Sequence, residues 1–255
     1  MSKPAWRWAN LIILVVVLVM NTLANVLPLN GQTTGEISDR YPVLLTPSSY
    51  VFSIWTLIYA LLIGFVLLPF RGTPAGRAAV ERIGPWFFVN GLLNSLWIVL
   101  WHYDFIYLSL VAMAGILLSL IVIYNRIHSG GRPHSAGELW FVRIAFSVYL
   151  GWICVATIVN AGVVLLKAGW DGWGLSPETW TVIMLVAAAG LAVAVSYRTN
   201  DIFLTAVFIW AFVGIGVKQQ DLAIVRTPAY GLALLLLVYL LWTAKEWKEH
   251  RESYY

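Results

Sequence analysis

The chain has 255 residues, of which 60% are hydrophobic and 11% are charged, whereas a typical soluble domain carries roughly 25% charged residues. This composition excludes a soluble globular protein and predicts a polytopic helical protein embedded in the lipid bilayer. The net charge of +4 comes from basic residues clustered between apolar runs, so it predicts no DNA or RNA partner.

Eight apolar runs, bounded by charged residues or by glycine and proline, predict eight helices. They cover about residues 8–28, 48–70, 84–101, 105–125, 139–166, 179–197, 202–217 and 224–244. The seventh run is short and the eighth contains Arg226 and Pro228, so six, seven or eight spans are compatible with the sequence. The predicted fold class is all-α, a polytopic membrane helical bundle.

The basic residues are distributed unequally between the two ends of these helices. Twelve of the 16 Lys and Arg residues fall on the side of the N-terminus, and the other four fall on the opposite side. Because Lys and Arg collect in cytoplasmic loops, this asymmetry predicts a multi-pass protein of the cytoplasmic membrane with both termini in the cytoplasm.

Two connections stand out from the short loops. Residues 30–46, between the first two runs, are long enough to form either a lid or a flexible loop on the outer side. Residues 167–179, KAGWDGWGLSPET, contain several helix-breaking residues between two long apolar runs. They predict a boundary between a five-helix domain at 1–167 and an appended helical region at 168–255.

Amide and aromatic side chains recur at helical spacing on several runs. The residues concerned are Asn21 and Asn25 in the first run, Trp55 and Tyr59 in the second, Asn90, Asn94, Trp97 and Trp101 in the third, and Tyr149, Trp152 and Asn160 in the fifth. Amides in hydrocarbon are costly unless paired, so these faces should turn inward. Two interpretations stay open: interhelical hydrogen bonding, or the wall of a pocket for a flat apolar ligand.

The sequence lacks the motifs of the common catalytic and cofactor sites. It contains no glycine-rich phosphate loop, no nucleophile elbow, and no lysine or carboxylate in the middle of a span. The four histidines lie outside the apolar runs, which disfavours axial haem ligation. They are His102, His128, His134 and His250. We therefore predict no catalytic residues, no metal site, no obligatory cofactor and no enzymatic activity.

Three motifs, in order along the second, third and fifth runs, resemble those of the tryptophan-rich sensory protein or translocator protein (TspO/MBR) family. The matching residues are Pro47, Trp55 and Tyr59, then Leu93, Asn94 and Trp97, then Tyr149, Leu150, Trp152 and Asn160. The resemblance covers about residues 8–167. Val148 and Ser53 stand where the family usually or often has proline, and the region after Gly169 has no counterpart in five-helix members. The chain therefore resembles an enlarged member, with a five-helix core and about three extra transmembrane helices.

The resemblance implies a homodimer whose bundle binds porphyrin, haem or another tetrapyrrole in a pocket closed by the first loop. The ligand-binding residues predicted from the inward faces and the resemblance together are Asn21, Asn25, Trp55, Tyr59, Asn94, Trp97, Trp152 and Asn160. The leading hypothesis is a membrane protein that binds a planar hydrophobic ligand, a porphyrin or another tetrapyrrole, in a pocket lined by Trp and Asn under the first loop. Transport and sensing both stay open as the role of that binding. The alternatives are a small-solute transporter or channel on the same scaffold, and an enzyme that degrades porphyrin with light and oxygen.

Overall fold

The computed structural model describes residues 3–27, 29–72, 74–129, 133 and 135–252. Within those ranges the regular secondary structure is entirely helical, which confirms the predicted all-α fold. The helices are α1 (Lys3–Val26), α2 (Thr34–Asp39), α3 (Ile54–Leu67), α4 (Pro74–Ile83), α5 (Trp86–His102), α6 (Ile106–His128), α7 (Ala145–Lys167), α8 (Pro177–Thr199), α9 (Ile202–Lys218) and α10 (Ala223–Glu252). A helical turn at Ala136–Glu138 and a π-helical segment at Leu139–Ile144 lead into α7.

Six helical stretches are long and apolar enough to cross a bilayer. They are Ala5–Val26, Ser49–Arg71, Ile106–His128, Ala136–Lys167, Pro177–Thr199 and Ala223–Lys245. The pair α4 and α5, bent by 67° at its break, makes a seventh span if it is counted as one, and α9 is a shorter apolar helix of 17 residues. The chain is thus a multi-pass membrane protein, and all eight predicted apolar helices are present.

The chain divides into two compact units. The first consists of Met1–Tyr41 and Ser53–Val164, and the second consists of Pro42–Phe52 and Leu165–Tyr255. In the first unit, α5 pairs with α6 and also lies against α1. At that second contact a Cβ on Gly91 would come within 2.4 Å of the Ile13 side chain, so glycine permits the close approach.

The second unit packs α8, α9 and α10 together and includes a piece of chain from far upstream. We call residues Pro42–Phe52 the docked segment. Its Ser48 amide donates to the Gly214 carbonyl at 3.1 Å, and the Trp210 indole donates to the Val51 carbonyl at 3.1 Å. The side chain of Val51 lies directly on Gly214. The docked segment is therefore held by α9, although it connects two helices of the first unit.

Candidate functional site

Four aromatic rings from α3 and α7 meet inside the first unit. Trp55 stacks on Tyr59 with ring centroids 5.3 Å apart, as expected for residues one helical turn apart. Trp55 also meets the edges of Tyr149 and Trp152, at centroid distances of 5.9 and 6.4 Å. Tyr149 and Trp152 are buried, whereas Trp55 and Tyr59 are only half-buried. The two helices thus present a rigid aromatic wall on α7 and a more accessible one on α3.

Two amides join these rings to α5 and α1. The Asn94 side-chain N–H donates to the Tyr149 hydroxyl at 3.1 Å, and Asn21 donates to the Asn94 side-chain oxygen at 3.3 Å. The chain of contacts therefore runs from α1 through α5 to α7 and on to Trp55 of α3. We call these six residues the Trp/Asn cluster: Asn21, Trp55, Tyr59, Asn94, Tyr149 and Trp152.

The Tyr59 hydroxyl is a buried donor without a hydrogen-bond partner among the described residues. A buried hydroxyl of this kind costs free energy unless water or a ligand completes it. It lies beside the half-buried Trp55 on α3, so this side of the cluster offers both an accessible ring face and an unused donor. That combination suits a ligand that is flat, mostly apolar and equipped with a hydrogen-bond acceptor.

Trp97 and Asn160 form a second group, separate from these direct contacts. The Trp97 indole donates to the Asn160 side-chain oxygen at 3.0 Å, and the Asn160 amide donates to the Ser109 hydroxyl at 3.2 Å. Trp97 also stacks on Trp101, with centroids 5.5 Å apart. This group joins α5, α6 and α7 through bonds that satisfy its own members, which is the pattern of interhelical bonding.

The structure does not bring Asn25 into either group. Its side chain is exposed and donates to the backbone carbonyl of Asn21. In contrast, Tyr149 and Ser109 belong to the groups although neither was among the predicted ligand-binding residues. The sequence does place Tyr149 on the same helix face as Trp152, three residues away, whereas Ser109 in α6 carries no comparable signal.

The first connection is folded in both of its halves, as α2 in the first unit and as the docked segment in the second. Its role as a lid stays a prediction. In the first unit, α2 covers the end of α5, where the Trp101 indole donates to the Thr34 carbonyl at 3.3 Å. Asn30 donates to the His102 carbonyl at 3.0 Å. The sequence predicts His102 outside the apolar runs, and this prediction is wrong: the side chain is buried. The reason is that α2 covers the last turn of α5.

A capping box begins α2. The Thr33 backbone N–H and hydroxyl donate to the Glu36 carboxylate at 2.7 and 2.9 Å, and the Glu36 N–H donates to the Thr33 hydroxyl. Both hydrogen bonds hold the pKa of the Glu36 carboxyl below its ordinary value of 4.5, and the bond from the Thr33 backbone has the larger effect. This local arrangement keeps α2 helical over the end of α5.

Among the described residues, no group of three or more His, Cys, Asp or Glu side chains could hold a metal ion. The family model described as TSPO-like protein matches residues 7–242 of the chain, and thus continues through the helices of the second unit. No curated protein and no solved structure shows significant similarity to the chain.

Proposed function

The chain belongs to the TSPO-like protein family, and from that premise we propose that this membrane protein binds a planar hydrophobic ligand at the Trp/Asn cluster. The observation that supports the proposal is the meeting of Trp55 and Tyr59, half-buried on α3, with the buried rings of Tyr149 and Trp152 on α7. Aromatic walls with a few convergent polar groups are typical of small-molecule sites.

The ring geometry suggests how a ligand would enter. Trp55 touches Trp152 edge to face, with an interplanar angle of 85°, so no flat molecule fits between them in this arrangement. Turning the half-buried Trp55 side chain away from α7 would expose the faces of both indoles. The conformational change is then confined to one side chain and its stacked neighbour Tyr59, while Asn94 and Tyr149 stay in place.

A tetrapyrrole is the ligand class that we propose. Its conjugated ring offers a large apolar face for the indoles, and its carboxylate or carbonyl groups can accept a hydrogen bond from Tyr59. The cluster supplies contact area and hydrogen bonds but no nucleophile or acid–base pair, which favours binding over catalysis. We also propose, from the charge asymmetry and the family, that both termini are cytoplasmic and that the protein forms a homodimer.

Tryptophan substitution tests the site directly. Full-length protein in lipid nanodiscs would be titrated with protoporphyrin IX, and binding followed by porphyrin absorbance. Trp55→Phe or Trp152→Phe should weaken binding by about tenfold or less, because ring contacts contribute about 0.5–1.5 kcal/mol beyond area burial and about 1.4 kcal/mol is one decade. Replacement of either residue by Leu, which removes the flat face, should cost more.

Trp140 is the matched control for these variants. It is exposed and stands 12 residues before Trp152, so about three helical turns separate the two side chains. Trp140→Phe should leave porphyrin affinity unchanged. An equal loss of affinity in Trp140→Phe and Trp55→Phe would place the binding surface elsewhere and refute the assignment.

A further inference from the structure

The connector between α7 and α8 carries three tryptophans that contact one another. Trp170 and Trp173 meet edge to face with centroids 5.5 Å apart, and Trp180 of α8 lies 5.0 and 5.6 Å from them. We call these three residues the tryptophan turn. All belong to the second unit, and none takes part in the Trp/Asn cluster.

The backbone holds Trp173 in an unusual conformation. Its φ of 53° and ψ of 36° lie in the left-handed region, which bulky side chains rarely adopt. The Asp171 carboxylate accepts the Trp173 backbone N–H at 2.9 Å, and the Trp180 indole donates to the Gly172 carbonyl at 2.6 Å. These bonds fix the turn although Trp173 itself remains 77% exposed. The turn is therefore built to present a large aromatic ring outward.

The position of the turn in the chain identifies what surrounds that ring. One membrane span ends at Lys167 and the next begins at Pro177, so the turn lies at the bilayer surface at the end of both spans. Leu175 beside it is also exposed. An indole has an apolar body and one N–H donor, and it partitions preferentially to the interface between headgroups and hydrocarbon.

We propose that the tryptophan turn is a membrane-interface anchor. Trp173 inserts its ring into the phospholipid headgroup layer, and the packed rings of Trp170 and Trp180 support it from behind. The anchor fixes the depth at which the second unit sits in the bilayer. The partner is the lipid surface itself, and the inference does not depend on the ligand proposed for the first unit.

Fluorescence quenching in vesicles tests the anchor. Full-length protein with Cys154→Ala would carry one cysteine, either Leu175→Cys or Gln220→Cys, labelled with a nitrobenzoxadiazole dye. Gln220 is the control because it is exposed in the polar turn between α9 and α10, which lies at the same end of the second unit. In phosphatidylcholine vesicles, headgroup spin-labelled lipid should quench the label at 175 at least threefold more strongly than the label at 220, and iodide should show the reverse order.

Trp173→Gly separates anchoring from folding. Glycine adopts the left-handed conformation freely, so the melting temperature in detergent should stay the same or rise. Lipid quenching at 175 should nevertheless fall to the level at 220. Equal lipid quenching at 175 and 220 in the parent protein would overturn the proposal. So would protection of the 175 label that depends on protein concentration instead of lipid, because a second copy would then cover the turn.

Discussion

Asn94 is bonded on both sides, to Tyr149 and to Asn21, and Asn90 one turn earlier provides a comparison. Asn90 donates to the Ser119 hydroxyl at 2.9 Å and to the Ile116 carbonyl at 3.3 Å, both on α6. Asn90→Leu and Asn94→Leu should each destabilise the bundle by about 0.6–2 kcal/mol, the range for interhelical bonds in membranes. Only Asn94→Leu should also weaken porphyrin binding, by about tenfold, because the Tyr149 hydroxyl loses the partner that orients its ring.

Melting temperatures and porphyrin titrations of the two variants check this expectation. A loss of affinity in Asn90→Leu as large as in Asn94→Leu would show that affinity follows bundle stability alone. In that case Asn94 would be an interhelical bond and not part of the site.

Glu36 gives the first connection a defined pH dependence. Its folded-state pKa is lowered, so its stabilisation of α2 is present above the unfolded pKa near 4.5 and is lost as pH falls through the folded value. Ser38 on α2 is buried, so a cysteine at this position becomes reactive only when α2 opens. The variant to measure is Ser38→Cys in the Cys154→Ala background. Labelling by dithiodipyridine, which reacts in acid, should accelerate as pH falls below about 4.5.

Glu36→Ala should label rapidly at neutral pH and lose the acid-dependent acceleration. If the parent and Glu36→Ala proteins showed the same pH profile, the capping box would not be what holds α2 in place.

At the level of elements, the docked segment depends on one glycine of α9. A Cβ added to Gly214 would lie 2.1 Å from the Val51 side chain and 3.2 Å from that of Pro47, so one side of this contact must shift, and we expect the docked segment to loosen. Gly190 in α8 has no atom within 4 Å of its Cβ position, so Gly190→Val tests the effect of valine in a helix without the clash. Gly214→Val should increase cysteine labelling at the buried Thr46 position at least fivefold, whereas Gly190→Val should leave it unchanged.

Labelling rates of Thr46→Cys in the Cys154→Ala background provide the measurement. An unchanged rate in Gly214→Val would mean that the hydrogen bonds from Trp210 and Gln219 hold the segment without the contact at Val51.

The sequence predicted the apolar helices because a backbone in lipid must satisfy its hydrogen bonds within a helix, so composition alone marks the spans. The partner of each polar side chain depends on helix rotation and helix ends, which spacing does not fix. Asn25 shares a face with Asn21, yet it lies near the exposed end of α1. The contact of Val51 with Gly214 joins residues far apart in the chain, and no local sequence pattern predicts it. The capping box of Thr33 and Glu36, in contrast, has the sequence signature Thr-x-x-Glu, so the start of α2 is predictable from the sequence, although α2 is not among the eight helices predicted from the apolar runs.

At the scale of the whole molecule, the family model runs through both units. The chain passes from the first unit to the second at residue 42, returns to the first at residue 53, and enters the second again at residue 165. A protease site inserted at Gly169, in the exposed connector, would separate the chain into two fragments. After cleavage in detergent, the fragments should copurify, because the docked segment of the first fragment remains bonded to α9 of the second. A tag on the N-terminus and detection of the C-terminal fragment measure this.

The same cleavage in the Gly214→Val background should reduce copurification. Fragments that separate completely in the parent protein would show that the contacts of Ser48 and Val51, and the bond from Gln219 to the Leu44 carbonyl, do not hold the second unit together.

The docked segment also sets an order of events during biosynthesis. Trp210 follows Val51 by 159 residues, so at about 5–20 residues per second the ribosome needs roughly 8–30 s to make the partner after the segment has emerged. During that interval the segment has no α9 to bind, although the helices on either side of it are already complete. The docked segment can therefore reach its folded position only after α9, in the last third of the chain, has been made. Premature termination anywhere before α9 should leave the docked segment without the hydrogen-bond partners that α9 supplies, and so accessible to quality-control proteases.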